Sequence, residues 1–350
     1  MKNIIADALN DVFRCKKLKY IFISILIFTI SPYTFSQDKS DLATYPGKWI
    51  YTNNNESAEW FGARYYKMTA TELEKYHATT EKLVNYLHQQ PIAQNPLGVN
   101  LNVQSRAFYN HYNHVQASSE RVKAEIFVPF CNLIHNNGKI DNACTEVSYI
   151  QLRTNDESAV YETAMNFDKL DDKKALNQFK EIFCLPKEFM DIGSGVFLYN
   201  WYYENRIVVA RNDRPLWMPV TNKEYITRMM VYYNASLKEG LIPQMVIDAL
   251  KSEIDAIPPQ MMMMPAYING NSERPLTGIC TKEEDSKSAL YKINPNYFDP
   301  SLPRTSVQLI TITMEGHADY LEWGEINAHR VWEFIAGLKG SDLRKLLDVK

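Results

Sequence analysis

Residues 122–130 read VKAEIFVPF, and their alternation decides the fold class. Val122, Ala124, Ile126, Val128 and Phe130 fall on one side of an extended chain, with Lys123, Glu125 and Phe127 on the other. Strand side chains point to opposite faces in turn, so a period of two marks a strand with one dry face and one wet face. The same period runs just upstream, where Val99, Leu101 and Val103 alternate with Asn100, Asn102 and Gln104. Glu146–Arg153 and Val307–Met314 read as further strands. Val196–Glu204 and Arg206–Arg211 read as a pair turning around Glu204-Asn205, apolar enough for a central position.

Immediately after the quoted strand comes Cys131, then NLIHNNGKIDNA, then Cys144. Asn136-Asn137-Gly138 is a tight-turn signal, because Asn and Gly tolerate positive φ. A hairpin reversing there sets Cys131 opposite Cys144, and a disulfide between them is expected. Cys184 and Cys280 are left without an assigned partner. The cysteines show no CxxC and no paired Cys/His spacing, so they do not read as a zinc site.

The flanking helices carry their own start signals. Thr69 and Glu72 have capping-box spacing ahead of a helix over 70–89, with Leu73, Tyr76, Leu83 and Leu87 on one face and Pro91 beyond its end. Thr221 and Glu224 repeat the spacing after Pro219. Ile226, Met229 or Met230, Tyr233 and Leu237 give that helix its apolar face, with Gly240 as C-terminal cap. Pro243 starts a second helix through Ile257, so an antiparallel helical pair is expected near 222–257. Residues 260–303, rich in Pro, Asn and charge, read as a surface excursion. A helix over Asn327–Leu338 and a short one capped by Ser341 end the chain.

Strands and helices are thus grouped rather than alternating. The expectation is an α+β fold with a mainly antiparallel sheet. The charged stretch near 168–174 suggests a division into subdomains 37–175 and 176–350, or else one continuous domain.

The first 36 residues point to export. A basic block of Arg14, Lys16, Lys17 and Lys19 precedes the uncharged run IFISILIFTI, and Thr34-Phe35-Ser36 forms a cleavage site before Gln37. The apolar run is about 15 residues and Pro32 interrupts it, whereas a spanning helix needs about 20. Cleavage is therefore expected, with an uncleaved anchor as the alternative. This segment holds five basic and two acidic residues, leaving 33 Lys and Arg against 39 Asp and Glu, a net charge of about −6. A chain of that balance, with no arginine-rich stripe, does not read as a nucleic-acid binder. The expected compartment is the periplasm or the exterior.

Two short segments, RPLWMPVT at Arg214–Thr221 and NPNYFDPSLPRTSVQ at Asn294–Gln308, resemble a pattern found in uncharacterised exported bacterial proteins. The resemblance covers under a tenth of the chain. It implies export and no activity.

Among polar clusters, Glu315-Gly316-His317-Ala318-Asp319 is the sharpest. If the last strand continues through it, Glu315, His317 and Asp319 share one side and offer two carboxylates and an imidazole for acid–base work or a divalent metal. Gly316 argues for a strand end instead, and the expectation is that the three are not a catalytic set. His111 and His114 in NHYNH could share a metal on a helical turn, but their Asn- and Ser-rich surroundings read as a loop. Glu74, His77, Glu81 and His88 lie on the solvated face of the first helix. Met261–Met264 could hold Cu(I), but reads as packing. Asp191–Gly195 lacks the G-x-S-x-G spacing of a nucleophile elbow. No cofactor motif is present. The function expected is binding or structural, with a glycan, a peptide or an envelope protein as partner. The alternative is an exported hydrolase, with or without a metal, built on Glu315, His317 and Asp319.

Overall fold

The computed structural model describes residues 41–53, 64–108, 121–144, 147–157, 160, 182–185, 189–193, 195–201, 204–269, 287–315 and 326–348. In chain order the elements begin with β1 (Trp49–Asn53), α1 (Ala70–His88), α2 (Pro91–Gln94), β2 (Val99–Phe108), β3 (Lys123–Asn136), β4 (Lys139–Ala143) and β5 (Tyr149–Thr154). Then come β6 (Phe183–Cys184), β7 (Met190–Asp191), β8 (Val196–Trp201), β9 (Glu204–Val209), β10 (Trp217–Pro219), α3 (Asn222–Lys238) and α4 (Gln244–Asp255). The last are β11 (Tyr267–Asn269), β12 (Lys287–Ile293), β13 (Ile310–Glu315), α5 (Ile326–Gly337) and α6 (Gly340–Arg344). The fold is α+β. Among the described residues no helix is long and apolar enough to cross a membrane. The export segment at residues 1–36 lies outside the described residues.

Contacts divide the chain into two interleaved units. The first is Met1–Asp156, Glu188–Asn212 and Pro300–Lys350, and the second is Glu157–Lys187 with Asp213–Asp299. This differs from a single boundary near residue 176, because β13 returns to the first unit and pairs with both β5 and β9.

The first unit is a nine-stranded sheet ordered β1-β2-β3-β5-β13-β9-β8-β7, with β4 attached to β3. Only β1 with β2 is parallel; the other pairs in this sheet are antiparallel. The even-numbered residues of VKAEIFVPF face the core as the alternation demands. Ile126, Val128 and Phe130 join Leu101, Val103, Ile150, Leu152, Ile310 and Ile312 against Leu83 and Leu87 of α1 and Val331 and Phe334 of α5. Strand β9 lies inside the sheet as expected, while β8 is separated from the edge by the two residues of β7. Trp201 pairs with Glu204 and Asn200 with Asn205, so Glu204 and Asn205 belong to the paired strand and not to a turn.

Helix α1 starts with the full reciprocal cap. Thr69 Oγ1 accepts from the Glu72 N–H at 3.3 Å, and Glu72 Oε2 accepts from the Thr69 N–H at 2.8 Å. Glu72 has a second role that its spacing does not reveal. Arg304 donates from Nε to Glu72 Oε1 at 2.6 Å and from Nη2 to Oε2 at 3.0 Å. These bonds, ahead of the backbone ones, hold the Glu72 carboxyl at about 2, against an ordinary 4.5. A depressed carboxylate contributes stability that is complete above its unfolded pKa and disappears as pH falls toward the folded one. Wild-type protein should therefore lose about 1–3 kcal/mol from this group as pH falls from 4.5 to about 2. Urea titrations across that range should show the loss, and Arg304→Gln should flatten it. An acid slope unchanged in the variant would assign the loss to other carboxylates.

The hairpin of β3 and β4 turns on Asn137 (φ 50°) and Gly138 (φ 74°), the two positive φ angles that a tight reversal of this hand requires. Its register sets Asn136 opposite Lys139 and Asn132 opposite Ala143. Asn155, at the end of β5, also has positive φ (54°) and is buried. Its side-chain amide donates to Val122 O and Ser306 O, and its Oδ1 accepts from the Gln308 N–H, so one residue ties three segments together.

In the second unit, β12 lies between β10 and β11 and also pairs with β6. Residues 260–303 thus supply the middle of this sheet rather than a surface excursion alone. Residues 270–286 lie outside the described ones. Tyr225, Met229 and Tyr233 of α3 pack with Ile247 and Leu250 of α4 over Val220, Ala266 and Leu290. The cap of α3 departs from expectation. Thr221 Oγ1 accepts from the Glu224 N–H at 3.2 Å, but the Glu224 carboxylate turns to Lys292 at 2.7 Å and Arg228 at 2.8 Å. A lysine and an arginine offer it stronger, charge-assisted bonds than a backbone N–H. Helix α6 begins at Gly340 after Lys339, with no side-chain cap, so Ser341 does not cap it.

Candidate functional site

The wet face expected for β3 is not uniformly wet. Cross-strand pairing lines up Arg106, Glu125, Arg153, Thr311 and Val208 in one row over β2, β3, β5, β13 and β9. The next row on the same face holds Gln104, Phe127, Gln151, Thr313 and Arg206. Glu125 is 0% exposed. A buried carboxylate persists only if its lost hydration is replaced, and here both oxygens are saturated. Oε1 accepts from Arg106 Nε at 2.6 Å and lies 2.5 Å from Arg106 Nη2. Oε2 accepts from Gln151 Nε2 at 2.7 Å and Arg153 Nε at 3.0 Å.

The network continues. Arg153 Nη1 donates to Asp156 at 3.3 Å, and Lys123 Nζ lies 3.4 Å from the other Asp156 oxygen. Asp156 is also fully buried. The order is Arg106, Glu125, Arg153, Asp156, Lys123, which alternates in sign and ends on a cation at both sides. Three cations against two carboxylates leave one positive charge. Exposure is graded the same way: the Arg106 side chain is 55% exposed, while both carboxylates are at 0%. Beside Arg153, Thr311 is buried and its hydroxyl has no hydrogen-bond partner among the described residues. Replacing it with valine removes an unsatisfied group at nearly constant volume. Thr311→Val should leave folding stability unchanged or raise it by up to about 1 kcal/mol by chemical denaturation. A loss above that would show that the hydroxyl is already satisfied.

The residues singled out from the sequence divide between placed and unplaced. Glu315 ends β13 half-buried, in register with Tyr149 and Glu204 and on the same face as Thr311 and Thr313. His317 and Asp319 lie outside the described residues, as do His111 and His114. On α1, Glu81 accepts from the Tyr51 hydroxyl at 3.1 Å, and His88 stacks on Trp49 with ring centroids 4.7 Å apart. His329 on α5 is half-buried, and burial holds its imidazole below the ordinary range. Among the described residues no group of three or more His, Cys, Asp and Glu side chains is placed to hold a metal ion.

Of Met261–Met264, Met262 packs against the core of the second unit as expected, Met263 and Met264 are exposed, and the run also serves through its backbone. Met264 O and Met262 O accept from the first N–H groups of α3, at Asn222 and Lys223, and Met261 O accepts from the Asn222 side chain. They satisfy donors that a helix start leaves free. Asp191 Oδ1 accepts from the Gly193 N–H in the turn from β7 to β8. The disulfide Cys131–Cys144 is present, with Cα atoms 4.6 Å apart. Asn102 Nδ2 contacts both sulfurs, at 3.3 and 3.1 Å. Cys184 is half-buried and takes no part in that disulfide, and Cys280 lies outside the described residues.

Within the second unit, the RPLWMPVT segment meets residues 294–299, the first part of the other segment that carries the resemblance to exported proteins. Asn294 Nδ2 donates to Pro215 O, and Arg214 donates to Asn296 O at 2.9 Å and lies 3.6 Å from Asp299. Their composition reflects a local clasp.

An open groove of about 1030 Å³ runs beside α1, lined by Glu81, Lys82, Asn85, Tyr86, Lys339 and Asp342 among others. Several of its charged groups are engaged locally, Lys345 with Asp342 at 2.7 Å and Lys82 with Lys345 O at 3.2 Å. The charged sheet face is therefore the better candidate. No protein-family model matches the chain, and neither a curated protein nor a solved structure resembles it.

Proposed function

We propose that this chain is an exported protein of the periplasm or cell exterior that works by binding, and that the charged face of β2, β3 and β5 is its recognition surface. One observation carries the reading: Arg106 is held at two points by a fully buried carboxylate while more than half of its side chain stays exposed. A guanidinium fixed in this way has already lost much of the freedom that binding would otherwise remove. Export is supported by the Cys131–Cys144 disulfide, since such bonds persist in oxidising compartments. The partner is an envelope glycan, a peptide or another envelope protein.

The test is expression with the complete leader in an exporting host. Intact mass should show loss of residues 1–36 and of two hydrogens for the disulfide. Thermal-shift screening of the recovered protein against envelope glycans and peptides should give a ligand whose shift is lost in Arg106→Ala. Recovery of the uncleaved chain in the membrane, or ligands indifferent to Arg106, would count against the proposal. A second reading, hydrolysis through Glu315, His317 and Asp319, has in its favour that Glu315 shares the charged face. It requires an activity, or a bound metal, that His317→Ala removes with the fold intact.

A further inference from the structure

We infer that the ligand of this face is an oxyanion, a carboxylate- or phosphate-bearing molecule held between Arg106 and Lys123; the inference rests on the binding role proposed above and specifies its chemistry. The argument starts from the order of charges. Each end of the chain Arg106–Glu125–Arg153–Asp156–Lys123 is a cation, and each carboxylate within it is fully buried. An arriving anion therefore meets positive groups, while the negative ones are already covered.

Donor capacity agrees. Arg106 uses Nε and Nη2 on Glu125, which leaves Nη1 with two N–H groups and no partner among the described residues. Lys123 has one contact, at 3.4 Å, at the long limit for a hydrogen bond, and its side chain remains 18% exposed. Lys123 lies two residues before Glu125 on β3, so it flanks the Arg106–Glu125 pair on the same face. Glu125 cannot repel the ligand strongly, because four donors already occupy its oxygens. The chain carries net negative charge once residues 1–36 are excluded, so this positive spot is local. It suits a small or singly placed oxyanion rather than a long polyanion.

Calorimetric titration of the mature protein with citrate and with inorganic phosphate separates the two oxyanion chemistries, with a neutral disaccharide as control. At least one of the two anions should bind in low salt. Its affinity should fall about five- to tenfold in Lys123→Gln, and several-fold when salt rises toward about 0.3 M. Arg106→Lys, which keeps the charge but loses the fork, should also weaken it. Circular dichroism confirms that each variant is folded. Absence of binding by both anions, or equal binding by wild type and Lys123→Gln, overturns the inference. A neutral glycan or peptide that binds wild type and Lys123→Gln alike leaves the binding role standing and removes its acidic chemistry. Failure of the anions and of every envelope ligand removes both.

Discussion

Glu125→Ala should cost the first unit about 3–5 kcal/mol, the range for breaking a buried ion pair from one side. The loss comes less from the missing attraction than from what remains. Arg106, Gln151 and Arg153 keep their donors but lose the oxygens that satisfied them. Arg153 retains Asp156, whereas Arg106 has no other described carboxylate near it. Glu125→Gln should fall toward the lower end, since one amide oxygen still accepts while its NH2 faces donors. Urea unfolding followed by tryptophan fluorescence measures both. A cost under about 1 kcal/mol for the alanine variant would mean that water readily replaces the carboxylate, and the network would not organise the face.

Opening the disulfide should be almost as costly. Cys131 and Cys144 are separated by 13 positions in sequence, and closing a loop of that size restricts the unfolded chain by about 3 kcal/mol in the chain-entropy model. The native hairpin needs no help to bring the sulfurs together, because the Asn137-Gly138 turn and the register already place the residues opposite. The double variant Cys131→Ala, Cys144→Ala should therefore fold, with β3 and β4 paired, but unfold at lower urea. Non-reducing peptide mapping establishes the bond in wild-type protein. Free thiols at both positions in exported protein, or equal stability with and without reductant, would contradict this.

What could be read from the sequence was what depends on short spacing. The Thr69/Glu72 cap, the Asn-Gly turn, the disulfide across it and the alternation of β2 and β3 each follow from residues within a turn or a strand of one another. What could not be read depends on distant partners. Alternation assigns Glu125 to the face opposite Ile126 but cannot say how deep that face lies. Its burial becomes visible only when β2 and β5 place two arginines beside it. The Glu72–Arg304 pair spans 232 positions and leaves no local pattern. Glu224 shows the limit from the other side: the capping-box spacing was present, yet Lys292 won the carboxylate. Among the described sequence candidates, only Glu315 falls on the charged face, and neither Arg106 nor Lys123 stands out by spacing. A lysine and a glutamate alternating with apolar residues look like any solvated strand face.

The distinction that matters most is whether the charged face serves binding or only stability, and the folding free energy of Lys123→Gln separates these directly. Lys123 makes a single long contact to an aspartate that Arg153 also holds. A residue kept for a ligand contributes little to the free protein, so Lys123→Gln should unfold within about 1 kcal/mol of wild type. A loss of about 3 kcal/mol or more would make Lys123 a structural member of the buried network and would contradict a recognition role for this face.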